Sequence, residues 1–474
     1  MVTPLSMGPS ETLFTLISAL VIIPVVFGFV FRAPHLVALG FIAVLFLFSD
    51  STWGELQTTS NIYSRGAGMF YFSLLNMLLM VIGAALLVRY LARPAGMPDA
   101  QVRTPMFKYL AAFVFLLLSH IVIGLIMGVE LEMILGSRGI INVLNMMVFM
   151  YLIIAAFQNE KDTNRLLFCI IALAAIRGVF GIVRFVWFDG DSANPYRNFE
   201  GMDIKIAFFD IGDNFVASLA AFSAAWLLTS SEVRLSLFKR LLLVAFLVLE
   251  IAAVALSFRR SSLIGLALMF LLLLFKLPLR RQIVFALAGF LILSVVAVIF
   301  FEHRLQFTGT QGNVVSSLIY DISPDRGGIR ENRFYELYAA AQSLGSNWLF
   351  GLGTWGTFSG DPTRLTYHFG AYDFVHSGFG HIVLKTGLVG VLLFCGLLLA
   401  YASYYFRHSK YLSGTPRLLA DAGFAGFLFW VPTLLIGTPI IEFRTMLLIG
   451  LSLALPFVAV GLHNYRARTY YAAA

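Results

Sequence analysis

Apolar runs of roughly 20 residues recur along the whole chain, broken by short polar turns, and that is the length a helix needs to cross a bilayer core. They fall at about 12–31, 36–49, 67–88, 109–129, 140–157, 166–187, 206–229, 241–258, 261–275, 282–301, 379–405, 419–436 and 445–462. The pattern predicts about 13 membrane helices, within one either way. The runs at 36–49 and 261–275 are short, which predicts little tilt or half-buried packing. One polar interval, about 302–378, is large for a loop and small for a domain. Within it, Ile329 to Leu344 carries good helix formers with an apolar stripe at Phe334, Leu337, Tyr338 and Ala341, so a helix is predicted there. Gly327-Gly328 keeps that helix from starting earlier, and Asn347 to Gly353 reads as a turn. The fold class expected is an all-α polytopic membrane protein, about 12–14 helices in one transmembrane domain over 1–474, with 302–378 as its one large loop.

Composition agrees with the pattern. The chain is 59% hydrophobic and 12% charged, where soluble domains carry about a quarter charged residues. The net charge of +8 would also suit nucleic-acid binding, but the basic residues sit in short turns between spans and serve orientation instead. Arg89, Arg93, Arg103 and Lys108 crowd one connection; Lys161 with Arg165, Arg234 with Lys239 and Arg240, Lys276 with Arg280 and Arg281, and Arg407 with Lys410 and Arg417 occupy others. Alternation through the spans puts all of them on one side, the cytoplasm, and puts 302–378 outside it. Cys169 and Cys395 lie in apolar runs, where they read as small packed hydrophobes rather than a disulfide or a zinc pair. Residues 1–11 lack a basic start, so the first span is expected to stay as an anchor rather than leave as a signal peptide.

Several charges escape the cytoplasmic rule. Arg177 and Arg184 lie in one span, seven residues and so two turns apart, on one face. Arg259 and Arg260 stand at a span end in Ser257-Phe-Arg-Arg260-Ser-Ser, Arg330 and Arg333 lie three apart on the predicted loop helix, and Lys385 and Arg444 lie in or beside later spans. An anionic ligand at the external face is one reading, because guanidinium groups match phosphate oxygens with paired hydrogen bonds. Snorkelling to headgroups, or pairing with carboxylates, is the other. Asp189-Gly-Asp191 and Asp210-Ile-Gly-Asp213-Asn214 offer a short Asp-x-Asp pattern that could hold a divalent ion, but solvated turns account for them better. No metal site and no cofactor is expected. Trp355, Tyr367 and Tyr372 on the loop could stack on sugar rings or anchor at an interface. No phosphate-binding loop, nucleophile elbow or metalloprotease motif is present.

His376 stands at the lip of a span and is followed eleven residues later by Gly387-Leu-Val-Gly390. A neutral imidazole there can take a hydroxyl proton; the alternative is an interfacial histidine bonded to water or backbone. The order Arg333, then Gly351-Leu-Gly353, then His376 with Gly387 and Gly390 resembles the signature of the O-antigen ligase and polymerase superfamily of membrane glycosyltransferases. The Ser257-to-Ser262 stretch is similar to that family's Ser-Arg motif at a span end. The likeness covers about 205–395. It departs where the family usually has His-Asn and this chain has His376-Ser377, where it often has Glu and this chain has Lys385, and at a loop proline missing near Trp348.

The resemblance implies a GT-C-like fold in the bacterial inner membrane, an active site facing the periplasm under the 302–378 loop, and metal-independent transfer from an undecaprenyl-pyrophosphate-linked glycan to a glycan or lipid-linked acceptor. It implies Arg260 and Arg333 on the pyrophosphate, helped by Arg184, Arg330, Arg259 and Arg177, with His376 orienting or deprotonating the acceptor. A repeat-unit polymerase is favoured over a ligase to lipid A-core or protein. A flippase or anion carrier is the rival from another class, since intramembrane arginines suit transport too, but the repeated halves common in transporters are missing.

Overall fold

The computed structural model describes residues 23–49, 74–92, 105–136, 141–191, 205–233, 235–287, 333–361, 372–437 and 439–473, with single positions at 139, 289 and 294 besides. The expected span at 282–301 lies largely outside them, as do Arg330, Tyr367, Gly327-Gly328 and much of the 302–378 loop.

Helices make up most of the described chain. They are α1 (Ile23–Arg32), α2 (Pro34–Leu47), α3 (Leu74–Leu91), α4 (Pro105–Ile126), α5 (Leu131–Leu135), α6 (Ile141–Ala156) and α7 (Glu160–Trp187). Then come α8 (Ile211–Thr229), α9 (Leu237–Ala255), α10 (Arg260–Lys276), α11 (Arg333–Leu344), α12 (Gly378–His408), α13 (Gly414–Ile436) and α14 (Phe443–Ala473). Among the described residues, six helices are long and apolar enough to cross a membrane, or seven if the bent α1–α2 pair is one span. This is an all-α polytopic membrane protein.

Local sequence explains the breaks. Pro34 cannot continue α1, so the chain turns by 113° and restarts with that proline in the first turn of α2. Asp210 caps α8 by accepting a hydrogen bond from the Gly212 N–H at 2.7 Å. Ser236 caps α9 by accepting from the Lys239 N–H. The loop helix predicted for 329–344 is present as α11, and the turn after it begins as a 3-10 segment at Gly345–Trp348.

The chain divides into two compact units: one comprises Met1–Ala174, Leu393–Phe427 and Ile440–Ala474, the other Ala175–Leu392 and Leu428–Pro439. In the first, α14 packs along α6, which also receives α2 and α3. Close backbone approach at Gly450, where a Cβ would stand 2.9 Å from the Met146 carbonyl oxygen, brings α14 and α6 together. Arg444, fully buried, donates from Nε to the Leu45 carbonyl oxygen at 2.8 Å, near the C-terminal end of α2, where a cation is favoured. This basic residue therefore has an architectural task.

In the second unit α8 lies against α9 and α10. Phe215 of α8 meets Phe429 and Trp430 of α13 with ring centroids 5.5 and 4.8 Å apart. Gly265 of α10 lets the Phe429 backbone come within what a Cβ would occupy, and Gly378 does the same for Leu434. The last third of α13 thus links α8, α10 and the head of α12.

Candidate active site

Every expected site residue that the structure describes belongs to this second unit. They form two constellations.

The first is built on α7. Arg177, Gly181 and Arg184 recur at four and then three residues, so they share a face, as their spacing predicts. A side chain at Gly181 would overlap the Phe208 ring, so the glycine is what lets Phe208 press against the helix between the two arginines. The Arg177 guanidinium carbon stands 5.4 Å from the Phe208 ring centre and that of Arg184 stands 5.6 Å from it. Each arginine also has a carboxylate. Arg177 donates from Nε to Asp213 Oδ1 at 3.1 Å and from Nη2 to Oδ2 at 2.7 Å, a paired geometry with both partners buried. Arg184 donates from Nη2 to Asp191 Oδ2 at 2.8 Å and to the Ala207 carbonyl oxygen at 2.6 Å.

Asp191 does more than neutralise Arg184, since it also accepts from the Phe209 N–H at 2.8 Å. The Asp191 N–H donates to Ile206 O and the Ala207 N–H to Leu256 O, and Ser257 Oγ accepts from the Phe208 N–H. These bonds tie the end of α7, the approach to α8 and the end of α9 into one knot. Arg259 emerges beside it, its guanidinium 5.0 Å from the Phe209 ring centre. Phe258, at φ 51, takes the left-handed turn that delivers Arg259 as the N-cap of α10 and Arg260 as its first residue. Arg177 and Arg184 thus flank Phe208, and Arg259 stands over the adjacent Phe209. For the two on α7, the carboxylate-pairing alternative describes the geometry. Of the Asp-x-Asp pair, Asp191 faces Arg184, and Asp189 pairs with Lys205 at 2.8 Å.

The second constellation joins α11 to α12. His376 Nδ1 lies 3.0 and 3.1 Å from the two carboxylate oxygens of Glu336, and the His376 backbone N–H donates to Oε1 at 3.1 Å. A carboxylate only accepts, so this contact puts the proton of a neutral ring on Nδ1 and the lone pair on Nε2. Phe374 sets its ring edge-to-face against the imidazole, 5.1 Å between centroids. Glu336 is buried at 8% side-chain exposure, whereas His376 retains 26%. A histidine oriented by a carboxylate and partly exposed is an arrangement that suits a general base. Glu336 was not among the expected residues. Its signal was available: it follows Arg333 by three residues, so one face of α11 carries both positions. Arg333 opens α11.

The spacing from His376 to Gly387 has a structural reason. α12 breaks at Gly387, whose φ 63 and ψ −160 lie in a region open essentially to glycine alone. The turn after α11 enters that break. Leu352 N–H donates to Leu384 O at 2.9 Å, Gly353 N–H to Lys385 O at 3.1 Å and Val389 N–H to Leu349 O at 3.1 Å. A Cβ on Gly351 would stand 2.5 Å from Thr386 N, and one on Gly387 would stand 2.5 Å from Gly351 N. Gly351 and Gly353 both have positive φ. The buried Lys385 closes the clasp by donating from Nζ to Gly356 O at 2.7 Å. The loop is thereby fixed to the helix that begins two residues after His376. Tyr372 is buried and stacked on Phe358 within this loop, so its ring serves packing rather than an exposed sugar platform.

These two constellations define a polytopic membrane protein with an arginine-rich cluster and a carboxylate-oriented histidine at a clasped loop. A family model described as O-antigen ligase matches residues 243–395. The match runs from α9 into α12 and takes in Arg259, Arg260, Arg333, Glu336, His376 and Gly387, consistent with the O-antigen ligase/polymerase family of glycosyltransferases. No curated protein matches the chain.

Proposed function

We propose that this protein transfers a glycan from an undecaprenyl-pyrophosphate-linked donor to a hydroxyl of a glycan acceptor, on the periplasmic face of a bacterial inner membrane and in a GT-C-like fold. The observation that carries the reading is the His376–Glu336 contact within the segment similar to O-antigen ligases. The acceptor oxygen attacks the anomeric carbon while the bond from that carbon to the pyrophosphate oxygen breaks. The acceptor proton passes to Nε2 of His376, and Glu336 stabilises the imidazolium through Nδ1–H. Arg260 and Arg333 neutralise the departing pyrophosphate, a task suited to fixed guanidinium groups in a site shielded from water. Arg330 and Arg259 would assist. Arg177 and Arg184, already paired with carboxylates, hold the knot from which Arg259 and Arg260 project.

Packing in this unit supports the assembly of Arg260 with His376. Gly265 touches Phe429, and Leu434 touches Gly378. Arg260 lies five residues from Gly265, and Leu434 five from Phe429, about 7.5 Å of helix in each case. With α10 running into the membrane and α13 running out, both steps lead to the same end, where His376 precedes α12.

Repeat-unit polymerisation is favoured over ligation to lipid A-core or protein, because His376-Ser377 and Lys385 depart from the ligase-like pattern. Purified protein supplied with lipid-linked donor tests the chemistry. His376→Ala should bind donor and lose transfer by at least about a hundredfold, in line with removal of a general base. Wild-type transfer by that variant would overturn the assignment. Transfer is expected to continue in EDTA; loss restored by Mg²⁺ would return Asp189 and Asp191 to consideration. Mass spectrometry of lipid-linked glycans in a deletion strain separates the two acceptors: single repeats mark a lost polymerase, and accumulated long chains a lost ligase.

A further inference from the structure

The clasp at Gly387 also marks a boundary. Above it, Gly378 to Thr386 carries His381, Lys385 and Thr386; below it, Leu388 to Phe406 contains no charged residue until Arg407. Leu388 to His408 is 21 residues, about 31 Å of helix, the thickness of one hydrocarbon core. All of α12 taken as a single straight rod would be about 46 Å, about half as long again as that core. Gly387 therefore stands where the span meets the external surface of the bilayer.

The turn locked into that break exposes apolar side chains. Trp348, Leu349 and Phe350 are 56%, 39% and 55% exposed, and Tyr338 on α11 is 57% exposed. They follow a helix whose other face is buried, through Ala339, Ala340 and Leu344. Directly below, Leu388, Leu392 and Leu399 are exposed and lie within about 40° of one another on the helix wheel, a lipid-facing stripe. The Val389 N–H bonded to Leu349 O joins the turn to the top of that stripe. The exposed apolar residues of the turn and those of the span are thus joined at the Val389–Leu349 bond.

We propose that Trp348, Leu349 and Phe350 insert into the outer leaflet of the membrane and anchor the loop there. The solvent that covers Leu388 and Leu392 covers its continuation, and a Trp at headgroup level is placed as interfacial aromatics are. The anchor holds α11, and with it Glu336, at the membrane surface. The inference does not depend on the catalytic reading.

Full-length protein in phosphatidylglycerol/phosphatidylethanolamine vesicles tests it. Cys169 and Cys395 are replaced, and a bimane label is attached to Trp348→Cys, Phe350→Cys, Leu392→Cys as the lipid control or Ser359→Cys as the water control. Bimane at 348 and 350 should be quenched by lipid carrying a nitroxide near the glycerol at least threefold more than bimane at 359, and by aqueous iodide at least threefold less. Quenching at 348 and 350 that matches position 359 would place the turn in water and overturn the proposal. Protection from both quenchers would mean that protein covers the turn, which overturns it equally. Two probe positions guard against one variant that fails to fold, and each labelled protein is checked by melting in detergent.

Discussion

Two acid–base contacts in the same unit, Arg177–Asp213 and His376–Glu336, have similar lengths and differ in what they can do. Both join a base to a carboxylate at about 3 Å. In the first, both side chains are buried; in the second, the carboxylate is buried and the imidazole is 26% exposed. A buried guanidinium bonded through two nitrogens has its charge spent on the fold. A histidine whose Nδ1 is held by a carboxylate still has a second nitrogen with which to exchange a proton. Burial and the number of remaining donor or acceptor atoms thus separate architecture from chemistry better than charge does.

The largest effect should come from breaking the buried pair. Arg177→Met takes the paired guanidinium away from the buried Asp213 carboxylate and should cost roughly 3–5 kcal/mol of stability, read as a lower melting temperature in detergent. Adding Asp213→Leu should recover most of it, since two apolar groups replace two charges. Failure to recover would mean that Arg177 has a duty beyond Asp213, and the comparison would blur.

Next in size is the clasp. Gly387→Ala puts a side chain where φ 63 and ψ −160 exclude one and where the Gly351 backbone already lies. The cost should be about 1–3 kcal/mol in conformation alone, read as faster proteolysis of the 345–361 segment and reduced transfer. An intact clasp with a normal rate would detach the loop geometry from the reaction.

Glu336→Gln keeps the size and an acceptor oxygen for the His376 backbone but removes the charge that stabilises an imidazolium. Transfer should fall about tenfold, equivalent to about 1.4 kcal/mol of transition-state stabilisation, with melting little changed. A large loss of stability instead would move Glu336 to the architectural side of the comparison. The smallest effect is expected from Arg259→Met, which removes a contact with the Phe209 ring of about 0.5–1 kcal/mol. A transfer defect larger than that of Glu336→Gln would raise Arg259 from an assisting group to a main partner of the pyrophosphate.

Much of the architecture was legible in the residues. Membrane helices follow from runs of Leu, Phe, Val and Ile, because hydrocarbon leaves the backbone only its own hydrogen bonds to satisfy. That constraint is local, so the bounds expected for α10 and α13 lie within a few residues of those observed. The loop helix was legible from its stripe, and the shared face of Arg177 and Arg184 from their spacing, since both depend only on 3.6 residues per turn. His376 drew attention through its distance to Gly387.

What only the tertiary structure decided are the partners. Nothing local distinguishes Asp213 and Asp191 from acids in solvated turns; they became counter-ions because the chain before and at the start of α8 returns to α7, with Phe208 against Gly181. Glu336 lies 40 residues before His376, and their contact exists because Gly351 and Gly387 let two backbones meet closer than any side chain permits. Helix formation is fixed by near neighbours in sequence, whereas the pairing of charges is fixed by packing between distant segments. The sequence therefore determined which charges lie outside the short basic turns, and the packing decided which of them are buried against a carboxylate and that His376, held by Glu336, stays partly exposed.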